Sequence, residues 1–315
     1  MREAPGDPRQ LAIGLVGYGE VGRILAEDLR AHGVARVFAY DLKLDGPAAP
    51  TLREHAQQHG VTLVASHRAL AECSDLIISA VTASQTVAVA QACAPGVRAA
   101  SWFLDFNSAS PGAKQHAAAL IDAAGGRYVE GAVMTSVPPY RIRVPLLLGG
   151  PHAEGLQPVL AALGFDAKVG STRLGVASAT KMCRSVMIKG LEALTIECLT
   201  AARHYGVEEA VLASLKETFP GIDWDKQAAY FFQRVIEHGR RRAEEMREVA
   251  QTVREAGLEP WLASSTAERQ AQMADLADAG VFGSRGAPGF ARSADWRLEA
   301  DRLLRHLAQK ERPAR

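Results

Sequence analysis

The sequence predicts an α/β chain with a Rossmann-type doubly wound sheet, then a long connecting helix, then an all-helical C-terminal domain. Three observations carry this. From Leu11 to about Lys168, short β-branched apolar runs alternate with longer helical stretches, the pattern of repeated βαβ units around a buried parallel sheet. A glycine-rich turn ends the first run and opens the first helical stretch. From Ser171 to Tyr205 no proline interrupts, and Val176, Met182, Val186, Leu191, Leu194 and Leu199 recur at helical intervals.

Strands are expected over residues 11–17, 35–41, 61–65, 75–81, 101–106, 127–133 and 144–149. Most begin roughly 20 to 30 residues apart, which leaves room for a crossover helix. Helices are expected over 20–31, 84–94 and 112–124, with Gly33, Gly96 and Gly125 where they should stop. The long helix would reach on the order of 45 Å at about 1.5 Å per residue. Beyond Gly206 the segments 208–215, 223–256, 264–279 and 295–309 read as helices, punctuated by Pro220, Gly257, Pro260 and the glycine-rich 283–289, with no strand pair among them. Two domains follow: residues 1–170 as the α/β domain, and residues 171–315 as the connecting helix plus a helical domain.

Composition narrows the partners. With 48% hydrophobic and 23% charged residues the chain reads as globular rather than disordered. Lys plus Arg (36) nearly cancel Asp plus Glu (35), so there is no basic excess for nucleic acid or an anionic membrane. A small molecule is the expected partner. Cys73, Cys93, Cys183 and Cys198 form no C-x-x-C pair and read as buried thiols in a reducing compartment. No apolar run of about 18 residues is present, and residues 1–10 lack a signal-peptide order. A cytoplasmic location is the expectation.

The most specific local signal is Gly17-Tyr18-Gly19-Glu20-Val21-Gly22, between a strand and a helix. The first glycine permits a tight turn, the second lets backbone approach a pyrophosphate, and the third lets helix pack on strand. Asp41 closes the next strand, where a carboxylate takes the ribose hydroxyls and repels a 2′-phosphate. NAD is therefore favoured, with NADP as the alternative given Lys43 nearby. Val81 and Thr82, ending the fourth strand, complete the cofactor set. The histidines show no metal-ligand spacing on a face shared with a carboxylate, and no metal is expected.

At four places the chain resembles the β-hydroxyacid dehydrogenases, which include 3-hydroxyisobutyrate, tartronate semialdehyde and 6-phosphogluconate dehydrogenases. They are the glycine turn with Asp41; Asp105-Phe106-Asn107-Ser108-Ala109-Ser110-Pro111-Gly112; Glu130-Gly131-Ala132-Val133; and Gly175 through Lys181 into the long helix, with Glu192-Ala193 and Glu197 further along. The resemblance implies an N-terminal Rossmann-type domain, a long interdomain helix and a helical domain that often dimerises, so a homodimer is expected. It implies that Asn107 and Ser108 bind the substrate carboxylate or hydroxyl and that Lys181 is the general acid/base of an alcohol–carbonyl hydride transfer. On the residues alone, Ser110-Pro111 reads as a helix cap and Lys181 as an ordinary helix lysine.

Two departures from the family pattern bear on substrate. Where an Asn usually follows the lysine by one turn, this chain has Arg184-Ser185, and an arginine suits a carboxylate or phosphate. The family's Ser-Gly-Gly loop is replaced by Met134-Thr135-Ser136-Val137-Pro138-Pro139, so Met134 and Thr135 join the substrate set, Met134 as an adaptable apolar wall. The run Arg240-Arg241-Arg242 is interleaved with Glu237, Glu244 and Glu245 and reads as a solvated helix face. The function expected is an NAD(P)-dependent dehydrogenase of a small β-hydroxy acid or related alcohol. The alternative is a dinucleotide-binding sensor or scaffold without turnover.

Overall fold

The computed structural model describes residues 6–287, 289–291 and 293–310; the first five residues of the polar N-terminal stretch lie outside them. The chain divides into two compact units between Cys183 and Arg184. In the first, β1 (Ala12–Val16), β2 (Arg36–Tyr40), β3 (Thr62–Leu63), β4 (Leu76–Ser79), β5 (Trp102–Asp105), β6 (Arg127–Val133), β7 (Leu146–Gly149) and β8 (Ala167–Ser171) form one sheet in the order β3-β2-β1-β4-β5-β6-β7-β8. All neighbouring pairs are parallel except β6 with β7. The helices are α1 (Glu20–Ala31), α2 (Ala49–Gln58), α3 (His67–Cys73), α4 (Thr86–Cys93), α5 (Pro111–Ala123) and α6 (Ala153–Ala162).

β1 is buried along its whole length, as a central parallel strand covered on both faces must be. Because β1 pairs with both β2 and β4, the strand order reverses there, and the crevice beyond the carboxyl ends of β1 and β4 is where such sheets bind ligands. β8 and the helices α2, α3 and α6 go beyond the expected elements. β8 contains Lys168 and Gly170 and is mostly exposed, and its strand character comes from pairing with β7 rather than from apolar alternation. α2 buries only Leu52 and Ala56, and α6 carries Pro158 inside it, so both lack a clear helical signature.

The helix α7 (Val176–Tyr205) runs from the first unit into the second. The second unit continues with α8 (Glu208–Thr218), α9 (Trp224–Glu255), α10 (Trp261–Asp278) and α11 (Trp296–Lys310), and among its described residues there is no strand. Its core gathers Ile196, Leu199, Leu212, Phe232, Ile236, Met273 and Trp296, with Phe232 and Trp296 stacked 6.1 Å apart. Asp223 starts α9 by accepting from Lys226 N at 3.2 Å.

Two expectations are corrected here. Arg240 and Arg241 are exposed, but Arg242 is buried and pairs with Glu192, because three consecutive residues of a helix spread over about 200° and cannot share one face. Of the four cysteines only Cys93 is buried. Cys73 is partly covered, and Cys183 and Cys198 are exposed on α7.

Candidate active site

The glycine turn is built from close approach. Gly17 has φ +88°, and a Cβ there would lie 2.5 Å from the Ala80 carbonyl oxygen; one on Gly22 would lie 2.0 Å from the Gly17 oxygen. Both positions exclude a side chain. At Gly19, by contrast, an added Cβ meets nothing within 4 Å, so the turn is open on that side. Glu20, Val21 and Gly22 open α1, and the first N–H groups of a helix have no intrahelical acceptor. Asp41 follows β2 and accepts from Tyr18 N at 2.7 Å and Lys43 N at 2.8 Å, so its carboxylate braces the turn. Open backbone at Gly19, a helix N-terminus and a carboxylate at the end of β2 fit a dinucleotide.

The neighbouring strand ends meet the same crevice. Val81 is half-buried and Thr82 exposed just after β4. Asn107 is buried, with its Oδ1 accepting from Val81 N at 2.8 Å and its Nδ2 donating to Ser79 Oγ at 3.0 Å, so its amide locks the end of β4 to the loop after β5. Ser108, next in the chain, is half-buried and accepts a hydrogen bond from Lys181 Nζ at 2.5 Å. Lys181 sits in the second turn of α7. Contacts thus run from Gly17 to Ala80, from Val81 to Asn107 and from Ser108 to Lys181, all within the first unit.

Beneath them lies a buried polar frame that no sequence spacing announces. Asp105 accepts from the Tyr128 hydroxyl at 2.6 Å and from Asn107 N at 2.8 Å, and its Oδ1 lies 3.0 Å from Lys114 Nζ. Burial, with the Asp105 carboxylate beside it, pushes the Tyr128 hydroxyl well above its ordinary pKa, so it remains a donor. Glu130, fully buried in β6, accepts from Gly175 N (2.8 Å), Ala177 N (3.1 Å), Ser178 N (3.3 Å) and Ser178 Oγ (2.7 Å), and thereby caps α7 one and a half turns before Lys181. A charged residue inside an apolar strand or on a buried helix face, as with Glu130 and Lys114, was the available signal. Ser110 caps α5 through Ala113 N at 3.3 Å, with Pro111 first in the helix.

After β6, Met134 is half-buried and Thr135 exposed. The loop they begin is anchored at its far end to α1: Arg141 donates to Asp28 at 2.8 Å and Glu27 at 2.6 Å, and Ile142 N donates to Asp28 at 2.9 Å. Arg184 and Ser185 belong to the second unit. Arg184 is exposed, while Ser185 is buried and accepts from Lys189 Nζ at 3.4 Å. Burial lowers the Lys189 pKa, opposed by Glu245, whose carboxylate is 2.9 Å away.

A doubly wound sheet with this turn and an acidic second strand end defines a dinucleotide-binding protein. Residues 12–170 match the family model for the NAD binding domain of 6-phosphogluconate dehydrogenase, and residues 202–273 match a domain of unknown function, DUF1932. The chain belongs to the β-hydroxyacid dehydrogenase family, and its cofactor is NAD(P). It is 38% identical to a conserved hypothetical protein from Sinorhizobium meliloti 1021, with a TM-score of 0.74 over 94% of this chain and 96% of that one. It is 32% identical to MTH1747, a conserved protein of unknown function with structural similarity to 3-hydroxyacid dehydrogenases (TM-score 0.67; 85% and 98% covered). It is also 26% identical to the mitochondrial 3-hydroxyisobutyrate dehydrogenase of Drosophila melanogaster, across 67% of this chain and 64% of that relative. Among the described residues no helix is long and apolar enough to cross a membrane.

Proposed function

We propose that the chain is an NAD-preferring dehydrogenase of a small β-hydroxy acid or related alcohol, with Lys181 as general acid/base. The observation that carries this is the 2.5 Å contact between Lys181 Nζ and Ser108 Oγ, on a loop tied through Asn107 to the end of β4. A bound nicotinamide supplies hydride exchange with the substrate carbon. Lys181 takes the hydroxyl proton in oxidation and returns it in reduction, and its ammonium stabilises negative charge on the carbonyl oxygen. Ser108, with Asn107 holding its loop, binds the substrate carboxylate or hydroxyl, and Met134 and Thr135 complete the substrate set of the first unit. The Gly17–Gly22 turn, Asp41, Val81 and Thr82 hold the dinucleotide. Asp41 supports NAD over NADP, since its carboxylate repels a 2′-phosphate. In this reading residues 1–170 bind the cofactor, residues 171–315 serve substrate and dimerisation, and the protein is a cytoplasmic homodimer.

The test is NADH formation across a panel of β-hydroxy acids, with NADH binding followed by fluorescence. Lys181→Ala is expected to lower kcat by roughly 10²- to 10⁴-fold while leaving NADH binding intact. Turnover that survives in this variant removes the lysine from the chemistry. NADH binding with no turnover on any panel member favours a dinucleotide sensor instead.

A further inference from the structure

Glu27, His55 and His59 are outside the proposed substrate and proton-transfer set, and the Tyr18 hydroxyl of the glycine turn touches His55. His55 and His59 lie four residues apart on α2, the spacing that stacks side chains on one helix face, and their rings are 4.4 Å apart. Glu27 comes from α1, so the expectation that no histidine pair shares a face with a carboxylate is corrected: the spacing is in the sequence, but the carboxylate arrives through the fold. One ligand atom from each residue lies within 4.8 Å of the other two, the one such group found among the described residues. All three side chains are half-buried, so the cluster has a route to solvent.

We propose that Glu27, His55 and His59 bind a divalent transition-metal ion of the zinc type. Two imidazoles and a carboxylate match the ligand preference of Zn²⁺, with water as the fourth ligand. Metal–ligand distances of about 2.0–2.1 Å set donors roughly 3.4 Å apart, a closure within reach of side-chain rotation at His59. His55 Nε2 and Glu27 Oε1, 2.9 Å apart, already face each other. The Tyr18 hydroxyl lies 2.8 Å from His55 Nδ1, the outer oxygen partner that fixes a metal-bound imidazole and leaves Nε2 for the ion. Arg141 occupies the other Glu27 oxygen, Oε2, at 2.6 Å, so the carboxylate offers one oxygen only. No ligand belongs to the substrate or proton-transfer set, so this site and the proposed reaction stand or fall separately.

The experiment titrates Co²⁺ into untagged, chelator-treated full-length protein and records visible d–d absorption, followed by displacement with Zn²⁺. One saturable equivalent per chain with a tetrahedral-type spectrum and no thiolate charge-transfer band is expected. Separate His59→Ala and Glu27→Gln variants, checked as folded by circular dichroism, should weaken Co²⁺ binding by roughly tenfold or more. His59 lies at the end of α2 with its ring half-exposed, so its replacement leaves the fold testable. Absence of saturable binding, unchanged affinity in folded His59→Ala, or a thiolate band from Cys183 or Cys198 would overturn the site.

Discussion

The carboxylate of Glu130 and the hydroxyl of Ser178 meet at 2.7 Å inside the first unit, joining β6 to the first turn of α7. The same carboxylate takes three backbone N–H groups, so the helix start is capped from another strand rather than by its own N-cap side chain. Lys181 projects from the next turn, and its position is inherited from this cap.

Glu130→Ala should therefore lower stability by about 2–4 kcal/mol in urea unfolding, because it strands several buried donors, while Ser178→Ala should cost about 1 kcal/mol. Equal losses from the two variants would show that the carboxylate is not the principal cap.

At Asp41 the expected effect is on selectivity. Removing the carboxylate in Asp41→Ala takes away a charged hydrogen-bond acceptor and a repulsive charge, so the ratio of NADPH to NADH affinity should rise about 10- to 100-fold. The ratio is the informative quantity, since Asp41 also holds Tyr18 N and Lys43 N and its loss weakens both complexes. An unchanged ratio would mean that cofactor choice is made elsewhere.

Thiol labelling should separate the cysteines. Cys183 and Cys198 are exposed, whereas burial pushes the Cys93 thiol up to about 12. The thiolate is the reactive form, so native Cys93 stays almost wholly protonated near neutral pH and reacts slowly there. Mass spectrometry after brief alkylation should find label on Cys183 and Cys198 and on Cys93 only after unfolding. Rapid native labelling of Cys93 would contradict its burial.

The parts legible in the sequence are those whose physics demands a residue type at a set spacing. Gly17, Gly22 and Asp41 are of this kind, because the turn tolerates no side chain at the two glycines and the second strand ends one βα unit later. The proline-free periodicity of α7 is another, and it places Lys181 on a long helix, whereas the Ser108 partner is supplied by the fold. Features made by long-range contact were not legible. Glu130 reaches α7 across 48 positions to Ser178, Lys114 finds Asp105 only when α5 folds onto β5, and Glu27 lies 28 positions from His55. β8 has too little apolar patterning to announce itself, and the outward faces of Cys183 and Cys198 follow from helix phase rather than from residue type.

The anchoring of Arg141 and Ile142 to Asp28 has a practical side. Met134 N is held to Pro145 O at 3.0 Å, so the intervening stretch is clamped at both ends by partners that do not depend on its own side chains. Within residues 135–140 Val137 is buried in the core and its carbonyl accepts from Tyr140 N and Arg141 N, so exchange is tolerated at the exposed Thr135, Pro138, Pro139 and Tyr140, while Val137 is the rivet that such a graft has to keep.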